Sequence, residues 1–165
     1  MHPNAELLTR FYRAFAAKDG AAMAGAYHPD AQFSDPVFTD LHGKEVGAMW
    51  QMLCARATDL RVEASGISAD DRNGRAHWEA WYTFARTGRK VHNVIEATFE
   101  FRDGRIVTHR DVFDLWRWAG MALGPSGKLL GWTPFLQNAV RKEARAGLSK
   151  FTATVLGMGL VAGAR

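Results

Sequence analysis

Two side chains that can transfer protons, His109 and Asp111, lie two positions apart in a segment that is otherwise rich in apolar residues. In a β-strand, residues at positions i and i+2 point to the same face, so both would face the core. Polar groups on an apolar face need hydrogen-bond partners or a function. We interpret this acid–base pair as a candidate for proton transfer, with a satisfied structural pair as the alternative.

A further carboxylate, Asp35, stands in the sequence Ser34-Asp35-Pro36-Val37. In an apolar cavity, desolvation would raise the pKa of this carboxyl toward neutrality, which improves a general base. Asp-Pro is also a common start of a turn. A purely structural turn residue is therefore the alternative interpretation of Asp35.

The register of one hairpin decides which way the acid–base pair points. A two-residue loop, Asp103-Gly104, would set two carboxylates side by side, whereas a three-residue loop over residues 102–104 pairs opposite charges. Opposite charges across strands stabilise and like charges destabilise, by roughly 0.2–1 kcal/mol per pair. We therefore predict the three-residue loop, with Gly104 left-handed. The predicted pairs are Glu96 with Arg110 and His92 with Asp114. The residues then placed on the apolar face are Val107, His109, Asp111 and Phe113.

The elements around this hairpin predict an α+β fold, because helices come first and a run of strands follows. Short turns separate four extended segments, which predicts an antiparallel meander. A two-residue loop at Gly88-Arg89 would give two of these strands a common apolar face. A curved sheet wrapped over the N-terminal helices would leave a cone-shaped pocket. The predicted strands cover residues 31–34, 60–68, 75–86, 90–101 and 106–116. The predicted helices cover residues 3–17 (with Asn4 as N-cap), 21–27 and 44–57.

Composition places these elements in one domain of 165 residues with a net charge of +4. The single cysteine, Cys54, excludes an internal disulfide and fits a reducing compartment. The N-terminus has no apolar signal core, and no stretch approaches the roughly 20 apolar residues of a membrane span. We therefore expect a cytoplasmic protein.

The basic character belongs to residues 117–165, which carry seven Lys/Arg and one acidic residue. Glycines after Trp118 indicate irregular chain, and Thr133-Pro134 then begins a helix that we predict to run to about Phe151. A solvated helix face is favoured over nucleic-acid binding. Contact of this tail with an acidic partner or a membrane surface is a weaker alternative, suggested by Arg141, Lys142 and Arg145. The final VLGMGLVAGA would dock on the domain, dock on a partner, or fray.

Four segments resemble the nuclear transport factor 2-like superfamily, and within it ketosteroid isomerases and SnoaL-type polyketide cyclases. They read FYRAFAAKD, YHPDAQFSDPVF, HGKEVGAMWQML and FEFRDGRIVTHRDVFD, and they lie within residues 5–118. The resemblance implies a conical α+β barrel over residues 1–118 and a homodimer formed through the outer sheet face. Residues 119–165 would be a C-terminal helical extension packed on the same domain or on the dimer partner.

The resemblance also implies roles for individual residues. The base of ketosteroid isomerase lies in an Asp-Pro-Val motif after the first strand, which Asp35 matches. The two oxyanion donors of that enzyme are not matched, because Phe11 and Ala97 occupy their positions. In SnoaL-type cyclases a pocket His and Asp serve instead, and by that analogy His109 and Asp111 are the candidates.

We expect an enzyme of the ketosteroid isomerase or polyketide cyclase type that needs no cofactor. Its substrate would be a small apolar molecule bearing a carbonyl or an epoxide, and the reaction an isomerisation, a cyclisation or a hydration. Asp35 or Asp111 would move the proton, with His109 assisting. The residues expected to bind substrate are Phe11, Trp78, Tyr82, Phe84, Asn93, Phe99 and Phe113. No metal is expected, since no His-x-His, His-Glu-x-x-His or Cys-pair spacing is present. A ligand-binding or structural domain of the same fold is the rival hypothesis.

Overall fold

The structure is a computed structural model that describes the backbone of residues 1–162 and the side chains of residues 1–155. It confirms the α+β class, with N-terminal helices, one six-stranded curved sheet and a C-terminal helix. The helices are α1 (Pro3–Ala16), α2 (Gly20–Gly25), α3 (Lys44–Arg56), α4 (Leu115–Leu123), α5 (Pro125–Leu130) and α6 (Pro134–Ala162). The strands are β1 (Tyr27–Ser34), β2 (Leu41–His42), β3 (Arg61–Ala69), β4 (Asn73–Phe84), β5 (Arg89–Arg102) and β6 (Arg105–Val112).

The sheet has the order β2-β1-β6-β5-β4-β3. Strands β3 to β6 form the predicted antiparallel meander, and β1 joins β6 in parallel. The main core lies between this sheet and helices α1 to α3, and a smaller buried cluster lies beneath α4. Among the described residues, no helix combines the length and hydropathy that crossing a membrane requires.

Helix α1 begins as a capped helix, but the predicted cap is wrong. His2 accepts a hydrogen bond from the backbone N–H of Asn4 at 3.1 Å, and Pro3 takes the first helical position, where its missing N–H costs nothing. Asn4 is buried instead, and its side-chain amide donates to the carbonyl oxygens of Asp70 (2.9 Å) and Asp71 (3.3 Å). This amide therefore ties α1 to the turn between β3 and β4.

The turn between β5 and β6 differs from the prediction. Asp103 and Gly104 both have positive φ, at 53° and 71°, and Arg102 pairs with Arg105, so the loop has two residues. Two left-handed residues form the primed turn that suits the twist of a hairpin. Beyond the turn, a β-bulge shifts the register between Glu100 and Phe101.

The bulge decides which face of β6 is inside. It adds one residue to β6, so that Phe99 pairs with His109 and Ala97 with Asp111. The predicted pairs Glu96–Arg110 and His92–Asp114 are wrong, because Arg110 lies opposite Thr98 and Asp114 caps α4. A two-residue loop plus one bulged residue nevertheless gives β6 the same alternation of inward and outward side chains, beyond the bulge, as the predicted three-residue loop. His109 and Asp111 consequently lie on the buried face, as predicted.

The β4–β5 hairpin has a longer loop than predicted, but the common apolar face is correct. Phe84 pairs with Arg89, which leaves residues 85–88 as the turn with Gly88 at φ 69°. Trp78 lies opposite Ile95 and Ala80 opposite Asn93. The buried faces of the two strands therefore coincide.

The chain after Trp118 is helical, and the predicted irregular region is wrong. Asp114 caps α4 by accepting a hydrogen bond from the backbone N–H of Arg117 at 3.0 Å. The glycines that suggested irregular chain permit close packing instead, because a Cβ at Gly127 would lie 1.9 Å from the carbonyl oxygen of Ala119.

Helix α6 begins as predicted and runs further than predicted. Thr133 caps it by accepting from the N–H of Leu136 at 3.3 Å, and the helix continues past Phe151 to Ala162. Its buried residue Leu148 joins the main core. The predicted docking of the terminal apolar segment concerns residues 155–164, nearly all of which lie outside the described side chains.

Candidate active site

His109 and Asp111 form a buried hydrogen-bonded pair on β6. His109 is 1% exposed and Asp111 2%. Nε2 of the imidazole lies 2.8 Å from Oδ1 of the carboxylate. Strand alternation places both side chains inward, and pairing with β5 sets His109 opposite Phe99 and Asp111 opposite Ala97. The two groups therefore meet within the main core.

A chain of hydrogen bonds fixes the orientation of the imidazole. The indole Nε1 of Trp50 donates to the hydroxyl oxygen of Tyr27 at 2.8 Å, and that hydroxyl lies 2.7 Å from Nδ1 of His109. Because the Tyr27 oxygen already accepts from Trp50, its own proton is free to be donated to Nδ1. This assigns the remaining imidazole proton to Nε2, from which it is donated to Asp111.

Aromatic rings surround the imidazole on several sides. Their centroids lie between 4.3 and 6.1 Å from that of His109, which leaves little room for solvent and gives the site a low local polarity. Trp50 stacks on the ring with an interplanar angle of 16°. The surrounding residues are Phe11, Tyr27, Phe33, Trp50 and Phe99.

The two oxygens of the Asp111 carboxylate have different surroundings. Oδ1 accepts the bond from His109 and a longer one, 3.4 Å, from the indole of Trp78. Oδ2 is buried and has no hydrogen-bond partner among the described residues. The hydroxyl of Tyr12 is also buried and has no hydrogen-bond partner among those residues. Burial and the nearby Asp111 carboxylate raise the pKa of Tyr12. A base oxygen and a hydroxyl donor are thus both left without partners in the interior.

Asp35 lies at the end of β1, where its carboxyl closes a turn. Oδ1 accepts from the N–H groups of Val37 (2.7 Å) and Phe38 (2.6 Å), which is the turn role named above as the alternative. Part of the residue reaches solvent, but its carboxyl is largely surrounded by protein, and desolvation raises its pKa to about 7. The carboxylate of Asp111 raises the pKa further, while the two backbone hydrogen bonds oppose the shift. Asp35 is therefore close to half-ionised at neutral pH.

Helix α6 holds the turn that carries Asp35. The Arg141 guanidinium donates from Nε to the carbonyl oxygen of Pro36 at 2.9 Å, and Arg145 donates to the carbonyl of Asp40 at 3.4 Å. Two of the tail arginines are thus engaged with the domain itself.

The predicted substrate-binding residues divide between two regions. Phe11, Trp78 and Phe99 contact the His109–Asp111 region directly. Tyr82 accepts a hydrogen bond from the indole of Trp118 at 2.8 Å, and its pKa is raised by burial and by Asp35. Phe84 packs on Trp118 in the cluster beneath α4, apart from the acid–base pair. Asn93 is buried on β5, and Phe113 packs against both clusters.

Sequence reasoning missed three residues that complete the site. Tyr27 was assigned to the end of a helix but begins β1, and its hydroxyl contacts a histidine 82 positions away. Trp50 is a buried residue of α3, and Tyr12 is a buried residue of α1 that follows Phe11 in the chain. Their aromatic rings fit an ordinary core pattern, so the sequence offered no signal for their polar atoms.

No group of three or more His, Cys, Asp or Glu side chains is arranged to hold a metal ion in the part of the chain that the structure describes.

Comparison with known proteins gives one family and many solved structures of the same fold. A family model described as a SnoaL-like domain matches residues 8–109. No curated protein sequence matches the chain significantly. A protein of ketosteroid isomerase-like fold from Catenulispora acidiphila, in complex with trimethylamine, is 14% identical, with 81% of this chain and 100% of that chain covered and a TM-score of 0.65.

Two further solved structures carry functional descriptions. An LEH-like epoxide hydrolase from M. tuberculosis is 19% identical, with coverage of 81% of this chain and 95% of that chain and a TM-score of 0.60. A putative polyketide cyclase from Xanthomonas campestris is also 19% identical, with coverage of 72% and 96% and a TM-score of 0.60. At these identities the structural likenesses establish the fold alone.

Proposed function

The chain belongs to the SnoaL-like domain family, and from that premise we propose that it is an enzyme that uses the buried Asp111 carboxylate as a general base on a small apolar substrate. The substrate bears a carbonyl or an epoxide, and the reaction is an isomerisation, a cyclisation or a hydration. His109 is a positioning residue, and Asp35 is the second proton-transfer group. The relatives named above as a polyketide cyclase and an epoxide hydrolase are consistent with this range of chemistry.

The observation that carries the proposal is the unequal use of the two Asp111 oxygens. The imidazole of His109 and the indole of Trp78 hold Oδ1, which fixes the carboxylate, while Oδ2 is buried without a partner among the described residues. A buried polar atom left without a partner costs roughly 1–3 kcal/mol. A fold tolerates such a cost where the atom has a function, and accepting a proton from a bound molecule is the function that suits a carboxylate oxygen.

For a carbonyl substrate, the chemistry is proton removal next to the carbonyl. Oδ2 of Asp111 takes a proton from the α-carbon, and the electrons of that C–H bond form the carbon–carbon double bond of an enolate. The developing negative charge on the carbonyl oxygen is stabilised by a hydrogen bond from a protonated group. Asp35 supplies that group, because its pKa of about 7 leaves about half of it protonated at neutral pH. Return of the proton to a different carbon completes an isomerisation. Attack of the enolate carbon on a second carbonyl breaks the C=O π bond and forms an alkoxide, which takes the proton back from Asp111 and completes a cyclisation.

For an epoxide substrate, the same two carboxyls activate water and the leaving oxygen. Asp111 takes a proton from water as the water oxygen attacks an epoxide carbon. The carbon–oxygen bond of the ring breaks, and the epoxide oxygen takes the proton of Asp35. The product is a diol, and exchange of a proton with solvent returns both carboxyls to their starting states. Both reactions use one ionised and one protonated carboxyl, and neither requires a cofactor.

A panel of apolar epoxides, β,γ-unsaturated ketones and linear diketones, assayed in D₂O and in H₂¹⁸O, tests the proposal. Deuterium at carbon identifies α-proton removal, and one ¹⁸O in a diol identifies hydration. We expect wild type to turn over at least one class and Asp111→Asn to lose at least 10²-fold, the lower range for one acid–base group. Asp30→Asn, an exposed carboxylate on β1, is the control and keeps wild-type turnover. Equal turnover by wild type and Asp111→Asn would contradict the proposal.

Ligand binding without catalysis is the second candidate function, and one observation favours it. Oδ1 of Asp35 is already bonded to its own turn, so this carboxyl has a structural role whether or not it transfers protons. A binding protein would bind members of the panel without turnover. The variants Asp35→Asn and Asp111→Asn would both retain that affinity. Calorimetric titration with the same compounds distinguishes this outcome from catalysis.

A further inference from the structure

Five large apolar side chains lie exposed where α4, α5 and α6 meet, and we call this region the apolar corner. The three aromatic rings alone expose roughly 300–500 Å² of surface, which already approaches the size of the largest apolar patch on a typical monomer, about 300–600 Å². Two leucines enlarge the patch further. The exposed fractions are 50% for Trp116, 73% for Leu129, 48% for Leu130, 60% for Trp132 and 83% for Phe135.

Hydrogen bonds and close packing hold the apolar corner in shape. The indole of Trp116 donates to the carbonyl oxygen of Lys128 at 2.9 Å, which brings α4 against the end of α5. A Cβ at Gly131 would lie 3.0 Å from the Trp116 ring, so this ring packs directly on the turn between α5 and α6. The indole of Trp132 donates to the carbonyl oxygen of Leu129 at 3.0 Å. Both exposed tryptophans have thus used their only polar group internally and present apolar ring surface outward.

The backbone of the apolar corner is also satisfied internally. Four consecutive carbonyl oxygens, from residue 128 to residue 131, each accept at least one hydrogen bond from the protein. An apolar medium offers no donor to a free carbonyl, so this arrangement lowers the cost of leaving water. The donors are Trp116 for residue 128, Trp132 for residue 129, the N–H and hydroxyl of Thr133 for residue 130, and the Gln137 amide for residue 131.

The surroundings of the apolar corner are positively charged. Residues 115–155 contain six Lys/Arg and one acidic residue, Glu143, which forms an ion pair with Arg86. Of the six, Arg141 and Arg145 are engaged with the rest of the domain, and Arg145 also forms an ion pair with Glu45. Arg117 and Lys128 are exposed and adjoin the exposed rings in sequence. A two-fold dimer through this patch would set these cations against their own copies, which is unfavourable. An anionic surface would be attracted to them.

We propose that the apolar corner inserts into the surface of a bilayer containing anionic lipids, with Arg117 and Lys128 contacting the lipid headgroups. Exposed Trp, Phe and Leu beside Lys and Arg are the composition of interfacial anchors. The anchor is peripheral, and the proposal does not depend on the chemistry of Asp111.

Cosedimentation of the full chain with vesicles tests the proposal. Vesicles of phosphatidylcholine alone are compared with vesicles containing one part phosphatidylglycerol to two parts phosphatidylcholine, at low and at high salt. We expect binding to the anionic vesicles that salt weakens, with an increase in tryptophan fluorescence. The variant Leu129→Ser/Phe135→Ser, in which neither side chain makes a polar contact, should bind at least tenfold more weakly, since burial of even one such side chain is worth roughly tenfold or more.

The control variant is Val155→Ser, which changes an exposed apolar residue of α6 outside the apolar corner and should bind as wild type does. Thermal unfolding of all three proteins checks that they are folded. Failure of the wild type to bind anionic vesicles at low salt contradicts the proposal, as does unchanged binding by the double variant. Light scattering that shows a wild-type dimer and a monomeric double variant would assign the apolar corner to self-association instead, and would also overturn it.

Discussion

The carboxyl of Asp35 should make the protein less stable as the pH rises from about 4 to about 7, and Asp35→Asn should remove that loss. The folded-state pKa is raised from 3.8 to about 7. Between these values the folded protein binds a proton that the unfolded chain does not, so the free energy of unfolding falls with increasing pH. Below pH 3.8 both states are protonated and Asp35 contributes nothing, whereas above pH 7 the full penalty applies.

The size of the effect follows from the shift. Each pKa unit corresponds to about 1.36 kcal/mol, so the complete penalty is at most about 4 kcal/mol. The two pH units between pH 5 and pH 7 account for at most about 2.7 kcal/mol. Because the residue keeps some contact with solvent, we expect about 1.5–2.5 kcal/mol over that interval. Asparagine retains an oxygen that can accept from Val37 and Phe38, so the turn itself should be preserved.

Urea unfolding of wild type and Asp35→Asn at pH 5 to pH 8.5 measures this difference. The stability of the variant relative to wild type should rise with pH and level off above pH 7. Asp70→Asn is a matched control, because Asp70 accepts from two backbone N–H groups in a similar turn but is exposed, and its backbone hydrogen bonds lower its pKa. Its stability difference should stay constant over this range. A constant difference for Asp35→Asn would refute the reasoning, since the carboxyl would then be no more protonated in the folded protein than in the unfolded chain.

Two further predictions concern stability. Tyr27→Phe keeps the ring but leaves the indole on α3 and the imidazole on β6 without their shared partner, and it should cost about 2–4 kcal/mol in urea unfolding. Tyr12→Phe removes a hydroxyl with no partner among the described residues, so it should be neutral or slightly stabilising. Equal losses of stability in Tyr27→Phe and Tyr12→Phe would contradict a stabilising role for the Tyr27 hydrogen bonds. Gly127→Ala places a Cβ 1.9 Å from the Ala119 carbonyl oxygen and should cost about 3 kcal/mol or more. At Gly25 an added Cβ would meet nothing within 4 Å, so Gly25→Ala should be neutral or stabilising by about 0.4–1 kcal/mol. Similar shifts in the unfolding temperature for Gly127→Ala and Gly25→Ala would show that close packing at Gly127 does not require glycine.

The sequence predicted the fold class and the inward orientation of His109 and Asp111, because alternation along a strand is a local property. It did not predict the hairpin itself. Charge pairing favoured a three-residue loop, whereas the twist of the hairpin favours two left-handed residues at Asp103-Gly104, and a bulge restores the alternation. The correct orientation therefore followed from a partly wrong register.

Features that depend on distant contacts could not be predicted. The hydroxyl of Tyr27 meets its histidine only after β1 joins β6 in parallel, a pairing that no local pattern indicates. The raised pKa of Asp35 depends on burial and on the carboxylate of Asp111, which lies on a different strand. The glycines around Gly127 suggest irregular chain from the sequence. In the structure, Gly127 instead allows α4 and α5 to pack closely.

If Asp111 acts as a base on a bound molecule, the substitution Asp111→Asn should separate binding from turnover. With a substrate from the panel, kcat/KM is measured for wild type and variant, and the affinity for an unreactive analogue is measured by calorimetry. We expect a loss of at least 10²-fold in kcat/KM with an affinity for the analogue within about threefold of wild type. Turnover that survives the substitution, or a loss of binding equal to the loss of turnover in a folded variant, would contradict it.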